Sequence, residues 1–308
     1  MTPAGEISID QADGNTEGTE RVMARLFPDH PEWHSSAALF NYALMQAMVL
    51  PEEVPPPKRM GGVAVWDSGA ISTITQCIVK VPNLTVDAQN ATTNAPDLIN
   101  QFFAEMRVYR TVGFHPQLLR FLGGVGGIGL ALERVDGDLL HRRLTQPDIP
   151  VSMKADWANQ IIAGLAHIHS FGLSHGELST HTIFIGGSPD ARRTTVKLID
   201  FGRSRVVGEP VYLTSPPFAA PEVLRQESDV DGILADAYSF AIVLFCVDAG
   251  HLPSFSPGEE QIDDALPDLT SVTLFEPLIR KFLRGRATRP RVQESDRVAF
   301  PGHPSSLL

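Results

Sequence analysis

The clearest candidate for chemistry in the sequence is a carboxylate that ends an apolar run. Asp200 follows the run VKLI and precedes Phe201 and Gly202. A carboxylate at the end of a buried strand, followed by a glycine that lets the chain turn, is well placed to hold a divalent cation. An aspartate in this position is also a common turn former or helix cap. The surrounding segments therefore decide what the motif means.

Four further motifs stand around this carboxylate in a fixed order. Lys80 closes the apolar run CIV, Glu105 lies in a helical pattern, and the segment LSHGELSTHTIFI precedes Asp200. Ala220-Pro221-Glu222 follows it. In order and spacing the motifs resemble the eukaryotic protein-kinase family over roughly residues 62–293. They match that family's V-A-I-K lysine, helix αC glutamate, catalytic loop, D-F-G and A-P-E.

Periodic patterns predict the elements that would position these residues. β-branched runs between residue 62 and Lys80 predict two or three antiparallel strands, LINQFFAEMRVYRTV predicts a helix, and the glycine cluster at 123–129 predicts a hairpin. Beyond Gly137 the region is predicted to be mainly helical, with helices for SMKADWANQIIAGLAHIHSFG, DAYSFAIVLFCVDAG and PLIRKFLRG. Two short strands are predicted for TIFIG and TVKLI. The predicted class is α+β, a two-lobed protein-kinase-like fold with a small antiparallel-sheet N-lobe and a mainly α-helical C-lobe.

The chain divides into three predicted parts. They are an N-terminal extension (1–60), a kinase domain (61–293, with an N-lobe over 61–133 and a C-lobe over 134–293) and a C-terminal tail (294–308). The extension contains a disordered acidic tail, an amphipathic helix over 36–50 and a proline-rich spacer. That helix would either pack on the small lobe or bind a partner in a groove.

The resemblance implies a role for each retained polar residue. Lys80 would pair with Glu105 and grip the nucleotide α- and β-phosphates, and Asp200 would hold Mg²⁺. Glu222 would form an ion pair with Arg289.

The resemblance also implies an ordered scaffold. Asp236 would anchor the catalytic loop from a buried helix. The residues that match the family's stacked regulatory spine are Tyr109, Phe121, His175 and Phe201.

The catalytic loop departs from the family's H-R-D-L-x-x-x-N pattern, because it reads HGELSTHT. Glu177 keeps a carboxylate, but an added methylene moves it by about 1 Å, a shift that can cost on the order of 10²-fold in rate. Ser179 replaces a lysine that neutralises the transferring phosphoryl group, and Thr182 replaces the asparagine that holds the second Mg²⁺. Gly176 replaces the arginine that binds a phosphorylated activation loop, so control of that type is not expected. The candidate catalytic residues are Glu177, Ser179 and Asp200, and the candidate Mg²⁺ ligands are Asp200 and Thr182.

The segments expected to bind the nucleotide also depart from the family's pattern. The segment DSGAIS keeps only the middle glycine of the family's glycine loop, Gly69, and Asp67 would repel phosphates if it points inward. Gly61-Gly62 is a rival placement of this loop. Ile78 and Phe184 occupy the roof and floor positions of the adenine slot and would narrow or fill it. The candidate nucleotide-binding residues are Gly69, Ile74, Ile78, Lys80, Glu105, Glu133, Val135 and Phe184.

Two functions follow from the resemblance. The first is a kinase-fold protein that binds ATP but acts as a pseudokinase or weakly active signalling scaffold, because its catalytic loop is degenerate. The alternative is an active Ser/Thr-type protein kinase that uses Glu177 as an unusual base, favoured by the retained Lys80, Glu105 and Asp200. ATP and Mg²⁺ are the implied cofactors, and a protein is the implied partner or substrate. The altered loops also resemble those of kinase-like families in filamentous and mushroom-forming fungi.

Composition excludes other classes. With 25 basic and 36 acidic side chains among 308 residues the formal charge is −11, which makes a nucleic-acid partner unexpected. The sequence contains no run of about twenty apolar residues, so no membrane span is predicted. The opening MTPAGEISID lacks a basic region before an apolar one, so we expect no secretory signal and a cytoplasmic or nuclear location. Cys77 and Cys246 lie in apolar runs and are expected to be buried thiols.

Overall fold

The computed structural model describes the greater part of the predicted kinase domain. The described residues are 58–60, 63–67, 76–80, 95–125, 129–187, 194–253 and 259–299. The predicted helix over 36–50, Gly69 and Ile74 lie outside them. The chain forms two compact units, the first comprising residues up to Phe103 together with Arg120–Arg134, the second Ala104–Leu119 together with the chain from Val135 onward.

The first unit contains a five-stranded antiparallel sheet. Its strands are β1 (Lys58–Met60), β2 (Val63–Asp67), β3 (Gln76–Lys80), β4 (Phe121–Val125) and β5 (Gly129–Glu133), in the order β1-β2-β3-β5-β4. Ile78 lies opposite Leu132 and Lys80 opposite Leu130. The β-branched runs and the glycine hairpin predicted β2 to β5, whereas β1 was not predicted, because its sequence KRM carries no alternating pattern.

A long helix, α1 (Ala95–Val112), contributes residues to both units. Phe102, Met106 and Tyr109 recur at spacings of four and three residues, as the sequence predicted, and all three are buried. Glu105 is buried on the same helix and accepts a hydrogen bond from the Tyr109 hydroxyl at 3.2 Å.

The second unit combines a small sheet with the helices. The sheet contains β6 (Gly137–Leu139), β7 (Ile183–Gly186) and β8 (Thr195–Leu198), paired antiparallel in that order. The helices are α2 (Leu140–Arg143), α3 (Val151–Ser170), α4 (Pro221–Leu224), α5 (Gly232–Ala249), α6 (Glu259–Ile262) and α7 (Glu276–Phe282), followed by two 3₁₀ turns (Arg286–Thr288 and Glu294–Asp296). The sequence predicted α3, β7, β8, α5 and α7. It missed the short elements, which are too brief to show a period.

Helix α5 is the core of the second unit. Its apolar residues surround the helix instead of forming a stripe, and Phe240, Leu244 and Phe245 are completely buried. Asp231 caps its first turn by accepting from the Ile233 amide at 2.9 Å. Length and composition would also let α5 cross a membrane, but 72% of it is buried inside the protein, as expected for a core helix. Burial raises the pKa of the Cys246 thiol on this helix to about 12.

Packing continues beyond residue 293, where the sequence analysis placed the end of the domain. The Asn159 side chain donates to the Val298 carbonyl at 2.9 Å and accepts from the Val298 amide at 2.7 Å. Asp296 is buried beside these contacts in a capping box with Gln293. These contacts fasten the end of the described chain to α3.

A buried ion pair fastens α4 to the segment after α7. The two terminal nitrogens of Arg289 contact the two carboxylate oxygens of Glu222, and each side chain is 1% exposed. Charges this deeply buried are tolerated only when they are paired and hydrogen-bonded. The pair is the one that the resemblance implied.

We expect Arg289→Met to lower the free energy of unfolding by about 3–5 kcal/mol, because it leaves the Glu222 carboxylate buried without its partner. The matched control is Arg291→Met, which removes an ion pair with Asp231 at 2.9 Å that is open to solvent. The control should cost about 1 kcal/mol or less. Urea unfolding followed by circular dichroism measures both, and equal losses would contradict a special role for the buried pair.

Candidate functional site

A buried carboxylate organises the segment that contains most candidate catalytic residues. Asp236, on α5, accepts hydrogen bonds from the backbone amides of His175 at 2.6 Å and Gly176 at 2.9 Å. The same carboxylate lies 2.9 Å from Nε2 of His169, at the end of α3. These three partners all belong to the protein itself. Asp236 on α5 therefore holds the catalytic loop in place, as the family resemblance implied.

Three of the four predicted spine residues stack in the second unit. The Phe201 ring is fully buried, 5.5 Å from the Tyr109 ring in an edge-on arrangement and 5.1 Å from the His175 ring. Burial lowers the pKa of His175, so its ring is neutral at pH 7 and packs as an aromatic group. Phe121 begins β4 in the first unit.

Asp200 stands where the chain turns out of β8. Its side chain is exposed, while the neighbouring Phe201 is buried, and its φ angle is +64°. Aspartate is one of the few residues that adopt this left-handed conformation, and such backbone strain concentrates at functional sites. Asp200 is thus accessible to solvent at the point where the sequence predicts a metal ligand.

Glu177 lies in an ion pair that no motif in the sequence predicted. Its Oε2 is 3.0 Å from Nε of Arg203, the residue that follows Asp200-Phe201-Gly202. The two side chains are 35% and 31% exposed. The candidate base is therefore already paired with a cation of the protein.

The hydroxyl of Thr182 is engaged inside the loop. It donates to the Glu177 carbonyl at 2.8 Å and accepts from the Ser179 amide at 2.9 Å, and the residue is buried. The Ser179 hydroxyl in turn accepts from the His181 amide at 3.2 Å. The two small polar residues thus satisfy the backbone of their own loop, and the structure gives the threonine oxygen a structural role.

The donor set available for Mg²⁺ is small. Mg²⁺ prefers carboxylate oxygens in octahedral geometry, and Asp200 offers such an oxygen. The Thr182 oxygen already accepts one hydrogen bond and donates another, so it fits a metal ligand less well. Within the described ranges no cluster of three or more His, Cys, Asp or Glu side chains is arranged to hold a metal ion.

The remaining candidate nucleotide-binding residues fall into both units. Ile78 and Lys80 lie on β3 and are half-buried, and Glu133 ends β5, where its side chain accepts from the Arg120 amide at 2.9 Å. Glu105 is in the second unit.

The other two candidates also lie in the second unit. Val135 precedes β6, and Phe184 is half-buried on β7, paired with Leu139 and Lys197 across the sheet.

A comparison with protein families decides between a chance series of motifs and a shared fold. The family described as Protein kinase domain matches residues 68–284. The chain belongs to the protein kinase family. This match and the two antiparallel sheets with their helices confirm the predicted α+β two-lobed class.

Several curated kinases resemble this kinase domain. Serine/threonine-protein kinase pkn2 of Myxococcus xanthus is 32% identical over 52% of this chain and 20% of its own length. CBL-interacting protein kinase 20 of Oryza sativa subsp. japonica is 26% identical over 55% of the chain and 39% of its own length. Serine/threonine-protein kinase SBK2 of Rattus norvegicus is 27% identical over 52% and 46%. The matched part spans less than half of each of these relatives.

Gly176 does more than remove the arginine of the family's pattern, because the backbone at this position requires a glycine. Its φ angle is +82°, and a Cβ built on it would lie 2.1 Å from the Arg203 carbonyl oxygen. Any side chain there would force the two backbones apart. The sequence showed the loss of the arginine, but it could not show this close approach, because the two segments are separated by 27 residues of chain.

We expect Gly176→Ala to destabilise the kinase domain more than Gly208→Ala. Both positions have positive φ, which costs a non-glycine residue about 1–2 kcal/mol, but a Cβ on Gly208 would meet no atom within 4 Å. The clash at Gly176 should add about 1–3 kcal/mol. Urea unfolding measures the difference, and equal costs would show that the loop yields easily at Gly176.

Proposed function

We propose that the chain is a nucleotide-binding member of the protein kinase family with strongly reduced phosphotransfer, acting as a pseudokinase or weakly active signalling scaffold. The observation that carries this proposal is the engagement of the Thr182 hydroxyl by the Glu177 carbonyl and the Ser179 amide. The group at the position of the second metal ligand is bound to its own loop.

The state of Glu177 supports the same proposal. An active kinase keeps its catalytic-loop carboxylate available to accept the substrate hydroxyl proton. Here a guanidinium lies 3.0 Å from that carboxylate, and substrate would have to compete with it. Ser179 stands at the position where the family's pattern has a lysine that stabilises the transferring phosphoryl group.

ATP binding is supported by the family and by three retained residues. Protein kinases bind ATP with Mg²⁺ and transfer its γ-phosphate. The family pattern implies that Lys80, as the partner of Glu105, would hold the α- and β-phosphates, and that Asp200 would hold the metal, which when bound neutralises the phosphate charge. The exposed carboxylate of Asp200, held at the end of β8, fits that role.

A second candidate is an active Ser/Thr-type protein kinase. It is favoured by the intact scaffold, since Asp236 holds the loop amides and Phe201 stacks on Tyr109 and His175. Two of the matched relatives, pkn2 and SBK2, are named serine/threonine-protein kinases. In this case Glu177 would leave Arg203 and serve as the base.

The biological setting is proposed along the same lines. A protein is the expected partner or substrate, because kinases act on protein hydroxyls. The acidic charge of −11 speaks against nucleic acid.

We expect ATP with Mg²⁺ to raise the thermal midpoint of the wild-type protein and to do so much less for Lys80→Ala. A ligand that binds only the folded state adds RT ln(1 + [L]/Kd) to stability, about 1.4 kcal/mol at ten times Kd. Lys154→Ala, which removes a lysine bonded to the Asp248 carbonyl, is the control and should keep the full shift. Absence of a shift at millimolar ATP would refute nucleotide binding.

We expect phosphotransfer to rise by about 10²-fold or more when the loop is restored with Glu177→Asp, Ser179→Lys and Thr182→Asn together. Radiolabelled ATP and a generic protein substrate provide the assay. Adding Asp200→Asn to the same variant should abolish the gain, because the metal ligand is then lost. A wild-type rate of about 1–100 s⁻¹ would instead establish the active-kinase alternative.

A further inference from the structure

The first residue after Asp200-Phe201-Gly202 is held at three points. The Arg203 guanidinium contacts the Glu177 carboxylate at 3.0 Å, donates to the Leu213 carbonyl at 3.4 Å and lies over the Tyr212 ring at 5.3 Å. The last two contacts come from the same segment as the arginine itself. They aim its side chain at the catalytic loop.

Arg205 provides an internal comparison. Its guanidinium lies over the same Tyr212 ring at 4.1 Å, but its nitrogens donate to the carbonyls of Pro210 at 3.1 Å and Ser204 at 3.4 Å. The two arginines therefore share an aromatic neighbour and differ in what they reach. Arg203 forms an ion pair with the Glu177 carboxylate, whereas the hydrogen bonds of Arg205 go to backbone carbonyls.

The backbone of this segment runs beside the chain that leads into the catalytic loop. The Ser174 amide donates to the Arg205 carbonyl at 2.8 Å, and the Val207 amide donates to the Gly172 carbonyl at 2.9 Å. Gly176 continues this close approach, because only a residue without Cβ leaves room for the Arg203 carbonyl. The absence of a side chain at Gly176 thus lets the Arg203 backbone lie directly against the catalytic loop.

The charges complete the argument. The loop HGELSTHT has no arginine or lysine, since Gly176 and Ser179 stand where the family's pattern has cations. Its carboxylate at Glu177 is nevertheless paired, with a cation from the neighbouring segment. Arg203 restores the positive charge beside the carboxylate from another place in the chain.

We propose that Arg203 is a positioning residue that replaces the missing cations of the catalytic loop. Through its ion pair with Glu177 it holds the segment 203–213 against that loop, with no need for a phosphorylated residue in the segment. Gly176 leaves room for the two backbones to lie this close. The inference deepens the proposed function and rests on it only in taking Glu177 as the catalytic-loop carboxylate. The segment keeps its place whether or not the chain transfers phosphate.

Hydrogen exchange of the full chain, followed by mass spectrometry, tests this contact directly. Arg203→Gln and Glu177→Gln should each speed exchange of the 203–213 amides about two- to fivefold, the effect of a half-exposed ion pair. The double variant should exchange no faster than either single one. Arg203→Lys should keep part of the protection, and the swap of Arg203→Glu with Glu177→Arg should restore it.

Arg205→Gln is the matched control, because it removes the other guanidinium over Tyr212. Its effect on exchange should add to that of Glu177→Gln, whereas the effect of Arg203→Gln should not. Additive effects of Arg203→Gln and Glu177→Gln, or a swap that fails to restore protection in a folded protein, would overturn the proposal. The ATP-dependent thermal shift of the same variants reports separately on nucleotide binding, so failure of one proposal is distinguishable from failure of the other.

Discussion

The second unit depends on one carboxylate set into its most apolar helix. Asp236 lies on α5, among side chains that are completely buried, and a charge in such surroundings must be fully hydrogen-bonded. The amides of His175 and Gly176 and the ring of His169 meet this need. Since these partners are backbone groups and one histidine, the loop keeps its path even though its reactive side chains have changed. The contacts that hold the catalytic loop in place therefore do not depend on which side chains stand at positions 177, 179 and 182.

This independence explains how the loop accommodates its substitutions. Serine and threonine bond readily to nearby backbone, and Ser179 and Thr182 do so here. A lysine or an asparagine at these positions would project a longer polar group. In the family's pattern the lysine and the asparagine contact the transferring phosphoryl group and the metal, whereas Ser179 and Thr182 form hydrogen bonds within their own loop. The carboxylate of Glu177 remains, and its charge is balanced by Arg203.

Much of the fold was predictable because its long elements carry clear runs or periodic patterns of apolar residues. Helix α5 and the β-branched strands were recognised from their apolar residues. The Glu222–Arg289 ion pair and the contacts of Asp236 with the catalytic loop were implied by the family resemblance and are present in the structure. Contacts between distant segments were different. The pairing of Glu177 with Arg203 depends on a backbone approach that no local pattern encodes. The short strand β6 and the helices of four residues were missed because elements of three or four residues are too short to show a period.

Gly176 has a consequence for any attempt to re-engineer the loop. The substitution Gly176→Arg cannot by itself rebuild the family's H-R-D pattern, because the new Cβ would overlap the Arg203 carbonyl and the backbone would be strained. The segment after Gly202 would have to move away, which would disturb the pairing of Arg203 with Glu177. A variant designed to respond to a phosphorylated loop therefore needs changes in both segments.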